Sequence, residues 1–205
     1  MNRLITLRRA LVTATAGIAV LVLAACGDKG DGMEGMDHGP GADQPAPSSS
    51  AVFNDADVMF AQMMIPHHRQ AVEMATLAET RAEDPEVKEL AAAIKGAQDP
   101  EIATLTGWLA EWGQPVEAPA GHDGGHGSMP GMMSEEDMKN LAAASGKAFD
   151  KAFAELMIAH HEGAISMAEE EKTKGSNPDA VALAGTIAAA QTAEIEQLRG
   201  ILARL

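Results

Sequence analysis

Cysteine occurs once in the 205 residues, at Cys26. A single thiol excludes an internal disulfide and a thiolate metal cluster, so any ion the chain holds is held without sulfur anions. Basic residues are scarce as well: 15 Lys and Arg stand against 30 Asp and Glu, a formal net charge of −15. Such a chain is repelled by phosphate backbones and anionic lipid surfaces, which argues against a nucleic-acid partner, and its negative field concentrates cations. No β-branched run alternates with polar residues, so strands are not expected. Catalytic patterns are missing too. There is no H-E-x-x-H, no Gly-rich phosphate loop after a strand, and no serine or cysteine nucleophile in a recognisable setting. The residues three before His67, His68, His160 and His161 are Met64, Ile65, Met157 and Ile158, so the Glu-x-x-His pairs of a di-iron carboxylate centre are also lacking. The expectation is a protein that is not an enzyme.

What is present divides the chain into parts. Arg3, Arg8 and Arg9 precede an apolar run from Ala10 to Ala25, shorter than the ~20 residues of a spanning helix, which is the pattern of an export signal. The run ends in Leu23-Ala24-Ala25-Cys26, which resembles the lipobox of bacterial lipoproteins and implies lipidation of Cys26. Loss of residues 1–25 with their three arginines would take the net charge from −15 to about −18. Residues 26–52 are rich in Gly, Pro, Ser and Asp and carry almost no large apolar side chain, so they read as a disordered tether. Residues 113–133 have the same character and read as a loop. The remainder of 53–205 is rich in Ala, Leu, Met and Glu, a helix-forming composition.

Helix starts are legible. Asp84-Pro85 and Asn177-Pro178 each match an N-cap followed by proline at the first helical position, and Ser134 is followed by Glu135, Glu136 and Asp137. Four main helices result, about Asn54 to Arg81, Pro85 to Trp112, Ser134 to Lys174 and Pro178 to Leu205, with Ser145-Gly146 as a break point in the third. A shift of 93 residues superposes the first pair on the second without a gap: Asp57 on Asp150, Phe60 on Phe153, Met64 on Met157, His67-His68 on His160-His161, and Met74 on Met167. The second helices follow, with Pro85 on Pro178, Gln98 on Gln191, Glu101 on Glu194 and Leu105 on Leu198. One helical hairpin, 53–112, is thus repeated as 134–205. Each alone would leave an apolar stripe in water, so the expected fold is all-α, a four-helix bundle with pseudo-twofold symmetry.

At 100° per residue Phe60, Met64, Ala71, Ala75 and Ala78 share one stripe, with His67 and Met74 at one edge and His68 at the other. Phe153, Met157, His160, His161 and Met167 repeat the arrangement. Met63 stands one turn before His67 and Met64 one turn before His68, so thioether and imidazole share a helical face. That pair of donors suits Cu(I) and does not suit Mg or Ca. Core methionines ordinarily fill gaps and buried histidines ordinarily hydrogen-bond, but the repetition of the whole pattern favours a shared metal role. The linkers point the same way, because packing cannot explain methionine where there is no core. They carry Met33, Met36 and His38, then His122, His126, Met129, Met132 and Met133. Pro66 faces Ala159 in the repeat and should kink the first helix just before His67, opening that site more than its partner.

The segments "MMIPHHRQAVEMA" and "MIAHHEGAISMAEEE" resemble the bacterial envelope family catalogued as domain of unknown function 305, which includes CopM-like periplasmic copper-binding proteins. The resemblance spans roughly Phe53 to Leu205. It implies a ferritin-like four-helix bundle that binds Cu(I) through Met63, Met64, His67, His68 and Met74, then Met157, His160, His161 and Met167. Leu156 departs from the pattern, standing where the first copy has Met63. The expected function is an envelope protein, lipid-anchored at the outer face of the cell membrane or within the periplasm, that sequesters or hands on Cu(I) and contributes to copper tolerance. Its expected partners are the metal ion and, through the lipid, the membrane. The competing reading is a metal-free, lipid-tethered adaptor whose His/Met face docks another envelope protein or a second copy.

Overall fold

The computed structural model describes residues 52–117 and 129–205, and these contain five helices and no strand. α1 spans Asp55–Arg81, α2 Pro85–Glu111, α3 Glu135–Ala143, α4 Gly146–Lys174 and α5 Pro178–Leu202. The leader, Cys26, Met33, Met36, His38, His122 and His126 lie outside the described residues. Among the described residues, no helix is long and apolar enough to cross a membrane.

Four of the five helices begin where a polar side chain takes up free backbone N–H groups; α4 starts at Gly146 without a side-chain cap. Asn54 and Asp57 form a reciprocal capping box at the start of α1, Asp84 and Asn177 cap α2 and α5 ahead of Pro85 and Pro178, and Ser134 pairs with Asp137 to start α3. The expected third helix is two helices. It stops at Ala143 and restarts at Gly146, whose φ of 60° lies in the left-handed region that glycine enters at little cost. α1 and α2 continue through Pro66 and Pro100 as unbroken helices.

α1–α2 and α4–α5 are the two hairpins; α1 packs along α4, α2 meets α5, and α3 lies against α1 and α4. The hairpins are also locked by hydrogen bonds. The Asp57 carboxylate accepts from the N–H groups of Ser176 and Asn177 at 3.1 and 2.9 Å, and Asp150 accepts from Glu83 and Asp84 at 3.1 and 3.0 Å. The first helix of each hairpin thereby caps the turn of the other, with charge-assisted bonds worth about 1.5–3 kcal/mol each. Burial alone would raise the Asp57 carboxyl, but the N–H of Asn177, the Glu171 carboxyl, and the N–H groups of Asn54 and Ser176 hold it below the ordinary range.

Two apolar clusters fill the bundle. The first contains Ala71, Met74, Ile94, Phe149, Phe153, Met157 and Leu198, with Leu141 of α3 inserted. The second contains Phe60, Met64, Leu105, Leu109, Met167 and Ile187. All four long helices contribute to both, and the histidines occupy the chain positions that separate them.

Candidate metal centre

His67, His68, His160 and His161 are all 0% exposed. Amphipathic spacing places them at the edges of a core stripe, but that estimate supposes one buried face. α1 and α4 are enclosed on more sides than one, by a hairpin partner, by each other, and by the strap Met129–Met133. The asymmetry expected from Pro66 is therefore not seen, since both histidine pairs are equally enclosed.

The centre of the layer is the His67–His160 pair, whose ring centroids lie 3.7 Å apart with planes inclined by 40°. The strap roofs this pair. His67 Nε2 donates to the Pro130 carbonyl at 3.1 Å, and the Gln70 amide clamps the Met133 backbone through two bonds of 3.0 and 2.7 Å. Backbone meets backbone where the strap crosses α4: a Cβ placed on Gly163 would lie 2.1 Å from the Pro130 oxygen, and one on Gly131 2.8 Å from the His160 oxygen. Gln70 and Gly163 are themselves 93 residues apart. One position holds the strap and its counterpart makes room for it.

Outside the pair, each second histidine meets a carboxylate from the adjacent helix. His68 Nε2 is hydrogen-bonded to Glu101 Oε2 at 2.7 Å, and His161 Nε2 lies 2.7 Å from Glu194 Oε2 without the alignment of a hydrogen bond. A carbonyl oxygen only accepts, so Nε2 of His67 carries the proton and its Nδ1 carries the lone pair. Bonding to the Glu101 carboxylate favours the same tautomer of His68. Nδ1 of all four rings, together with Nε2 of His160 and His161, has no hydrogen-bond partner. Leaving one buried polar atom unpaired costs about 1–3 kcal/mol, so the six are unfavourable together; on the neutral His67 and His160 rings one nitrogen each carries the lone pair that a cation could take up. Burial, and secondarily the neighbouring His68, depress His67 to about 3, and burial depresses His160 well below its ordinary value. Both rings are therefore neutral at physiological pH and able to donate to a metal.

The sulfurs are distributed unevenly. Met64 and Met157 are fully buried one turn before the rings, and Met74 and Met167 are buried beyond them. Met63 is half-buried against the second cluster, as are Met129, Met132 and Met133 in the strap, where Met133 packs on the first cluster. Among the described residues, no three His, Cys, Asp or Glu side chains gather closely enough to hold a metal by themselves. Thioether donors are the ones that could complete a set with His67 and His160. Spacing in the sequence also passed over four polar residues near the site: Glu101, Glu194, and the buried Gln98 and Gln191 one turn before them. All four pair off at the 93-residue shift, which is the signal that could have found them.

Residues 57–202 match the family model described as "Domain of unknown function (DUF305)". The chain belongs to the DUF305 family. A DUF305 protein from Streptomyces coelicolor, described as secreted, is 33% identical with a TM-score of 0.68, covering 72% of this chain and 92% of its own. A DUF305 fragment from Deinococcus radiodurans is 32% identical with a TM-score of 0.67, covering 74% and 98%. CopM in its Cu(II)-bound form is 38% identical with a TM-score of 0.62, covering 71% and 95%, and CopM is also solved in Cu(I)-bound, Ag-bound and apo forms. No match was found among curated proteins. The bundle of this DUF305 member is the fold these structures share.

Proposed function

We propose that this DUF305 protein is an exported, non-enzymatic copper carrier that takes Cu(I) as cargo in its mid-bundle histidine layer and sequesters it or hands it on, so contributing to copper tolerance. The carrying observation is the buried His67–His160 pair, 3.7 Å apart, with partnerless nitrogens on both rings. The chemistry of the donors fits the ion: neutral imidazoles and thioethers favour Cu(I). Copper-bound CopM, related over most of the bundle, supports copper as the metal, and the relative described as secreted supports export.

Each residue has a part to play. Burial keeps the rings uncharged; the Pro130 carbonyl sets the tautomer of His67 so that Nδ1 is the donor atom; Glu101 orients His68 in the manner of a carboxylate behind a metal-bound histidine. Met64 and Met157, one turn away, are the nearest thioethers along each helix. A lipid on Cys26, read from the lipobox, would keep the bundle at the membrane surface.

The test is a titration of the purified metal-free protein with Cu(I) against a competing chelator, beside a variant with all four histidines replaced by leucine. The proposal expects Cu(I) to be withdrawn from the chelator by the parent and much less by the variant. Equal binding by both would remove the histidine layer from the account, and no binding by the parent would leave the docking role of a tethered adaptor.

A further inference from the structure

A groove of about 200 Å³ runs between the first half of α1 and the last half of α4, away from the histidine layer. Its walls include Met59, Met63 and Met167, with Asp55 and Glu171 beside them. We propose that this groove is a second, outward-facing binding site for a soft monovalent cation, held by these three thioethers.

Packing does not account for the methionines. Met59 is 51% exposed, so it fills no gap in the core. Met59 and Met63 are four residues apart and lie on the same face of α1, while Met167 reaches the same space from α4. Three neutral sulfurs without a thiolate select d¹⁰ ions such as Cu(I) and Ag(I) over Zn, Mg and Ca.

The bundle supplies its own control. The positions 93 residues away from Met59 and Met63 are Ala152 and Leu156, those matching Glu170 and Glu171 are Leu77 and Ala78, and Asp55 matches Ala148. Of the lining, Phe60 and Met167 keep their identity, as Phe153 and Met74, and both of those residues are fully enclosed. On the same scaffold, one end carries sulfur and carboxyl groups where the other carries aliphatic ones, so the bundle fold does not require the thioethers.

The charge of the lining favours a cation here. The lining has the carboxylates Asp55 and Glu170 against Lys174, whose ammonium is paired with Glu170 at 2.6 Å, which leaves Asp55. Glu171 is 1% exposed and lines the groove, with its carboxyl paired to that of Asp57. Its carboxyl lies against Gly175, where a Cβ would approach Oε1 to 2.2 Å.

The test uses the full chain with its methionine methyl groups labelled with carbon-13 and Ag(I) as the probe, read by NMR. The methyl signals of Met59, Met63 and Met167 are expected to shift together at substoichiometric to equimolar Ag(I). Met59→Ala with Met63→Leu, which copies the opposite end, is expected to bind one Ag(I) fewer per chain, and Met59→Ala alone to weaken that ion while the histidine ring signals respond as in the parent. Met63→Leu alone keeps the side-chain volume and should weaken that ion at least tenfold. Three methyl signals that stay fixed, or a doubly substituted chain that binds as many ions as tightly as the parent, would overturn the proposal. Because histidine signals are followed separately, failure of the groove is distinguishable from failure of the histidine layer.

Discussion

The two ends of the bundle occupy corresponding places in the two hairpins and are finished differently. At the end where α1 finishes and α4 begins, Leu141 of α3 enters the core and Leu77, Ala152 and Leu156 pack around it. At the other end the groove of Met59 and Met63 is left beside the buried acid Glu171. Between them lies the histidine layer, whose residues both hairpins repeat but which the strap bonds only through His67 and Gln70. The contrast shows that one backbone can be sealed by aliphatic side chains at one end and left with an open groove of methionine and acid at the other, with the Asp57 and Asp150 interlocks kept at both.

The sharpest way to break the contrast is to truncate a residue at each end. Leu141→Ala should cost about 2–4 kcal/mol in denaturant unfolding, the range for emptying a buried leucine site, because Leu141 is 1% exposed. Met59→Ala, at 51% exposure, should change stability by less than about 0.5 kcal/mol. Equal costs would show that the open end is as tightly packed as the covered one. Next in size is Gly163→Ala, whose new Cβ would meet the Pro130 oxygen at 2.1 Å and lift the strap from α4. We expect a loss of about 2–3 kcal/mol, whereas Gly200→Ala, with nothing within 4 Å, should raise stability by up to about 1 kcal/mol through helix propensity.

The middle and the open end also differ in their response to pH. In the metal-free protein His67 has a folded value of about 3 against an ordinary 6.5. Its contribution is complete above pH 6.5 and is lost as pH falls toward 3, because only the unfolded chain takes up the proton; the limiting slope is about 1.4 kcal/mol per pH unit. His160 adds in the same direction. Glu171 is opposite. Burial, then the adjoining Asp57, push its carboxyl up to about 8 from 4.5, so its contribution is present below 4.5 and lost as pH rises through 8. Thermal melts should therefore fall on both sides of a maximum near neutral pH, and Glu171→Gln should flatten the alkaline side and leave the acid side. An alkaline loss that persists in Glu171→Gln would assign it to another group.

Much of the architecture was legible in the residues. Asp84-Pro85, Asn177-Pro178 and Ser134 start helices as their capping chemistry requires, Ser145-Gly146 is the break, and residues 93 apart take matching places. The site was less legible. A helical stripe describes one buried face, so it put the histidines at an edge when neighbours on several sides enclose them. The strap could not be read either: Pro130 and Gly131 reach His67 and α4 through backbone atoms, which leave no pattern in side-chain type. Glu171 has Ala78 as its counterpart, and the repeat marks only what both copies keep. Glu101 and Glu194 were visible as register markers, and only contact distances gave them a place beside His68 and His161.

The central claim is that imidazole nitrogens of the mid-bundle layer take the metal. Nitrogen-15 NMR of the histidine rings during addition of Ag(I) to the full chain reads those nitrogens individually. We predict that Nδ1 of His67 and a ring nitrogen of His160 move first and show coupling to silver, while Nε2 of His67 keeps its proton. Rings that stay unchanged while silver binds elsewhere on the chain would contradict it.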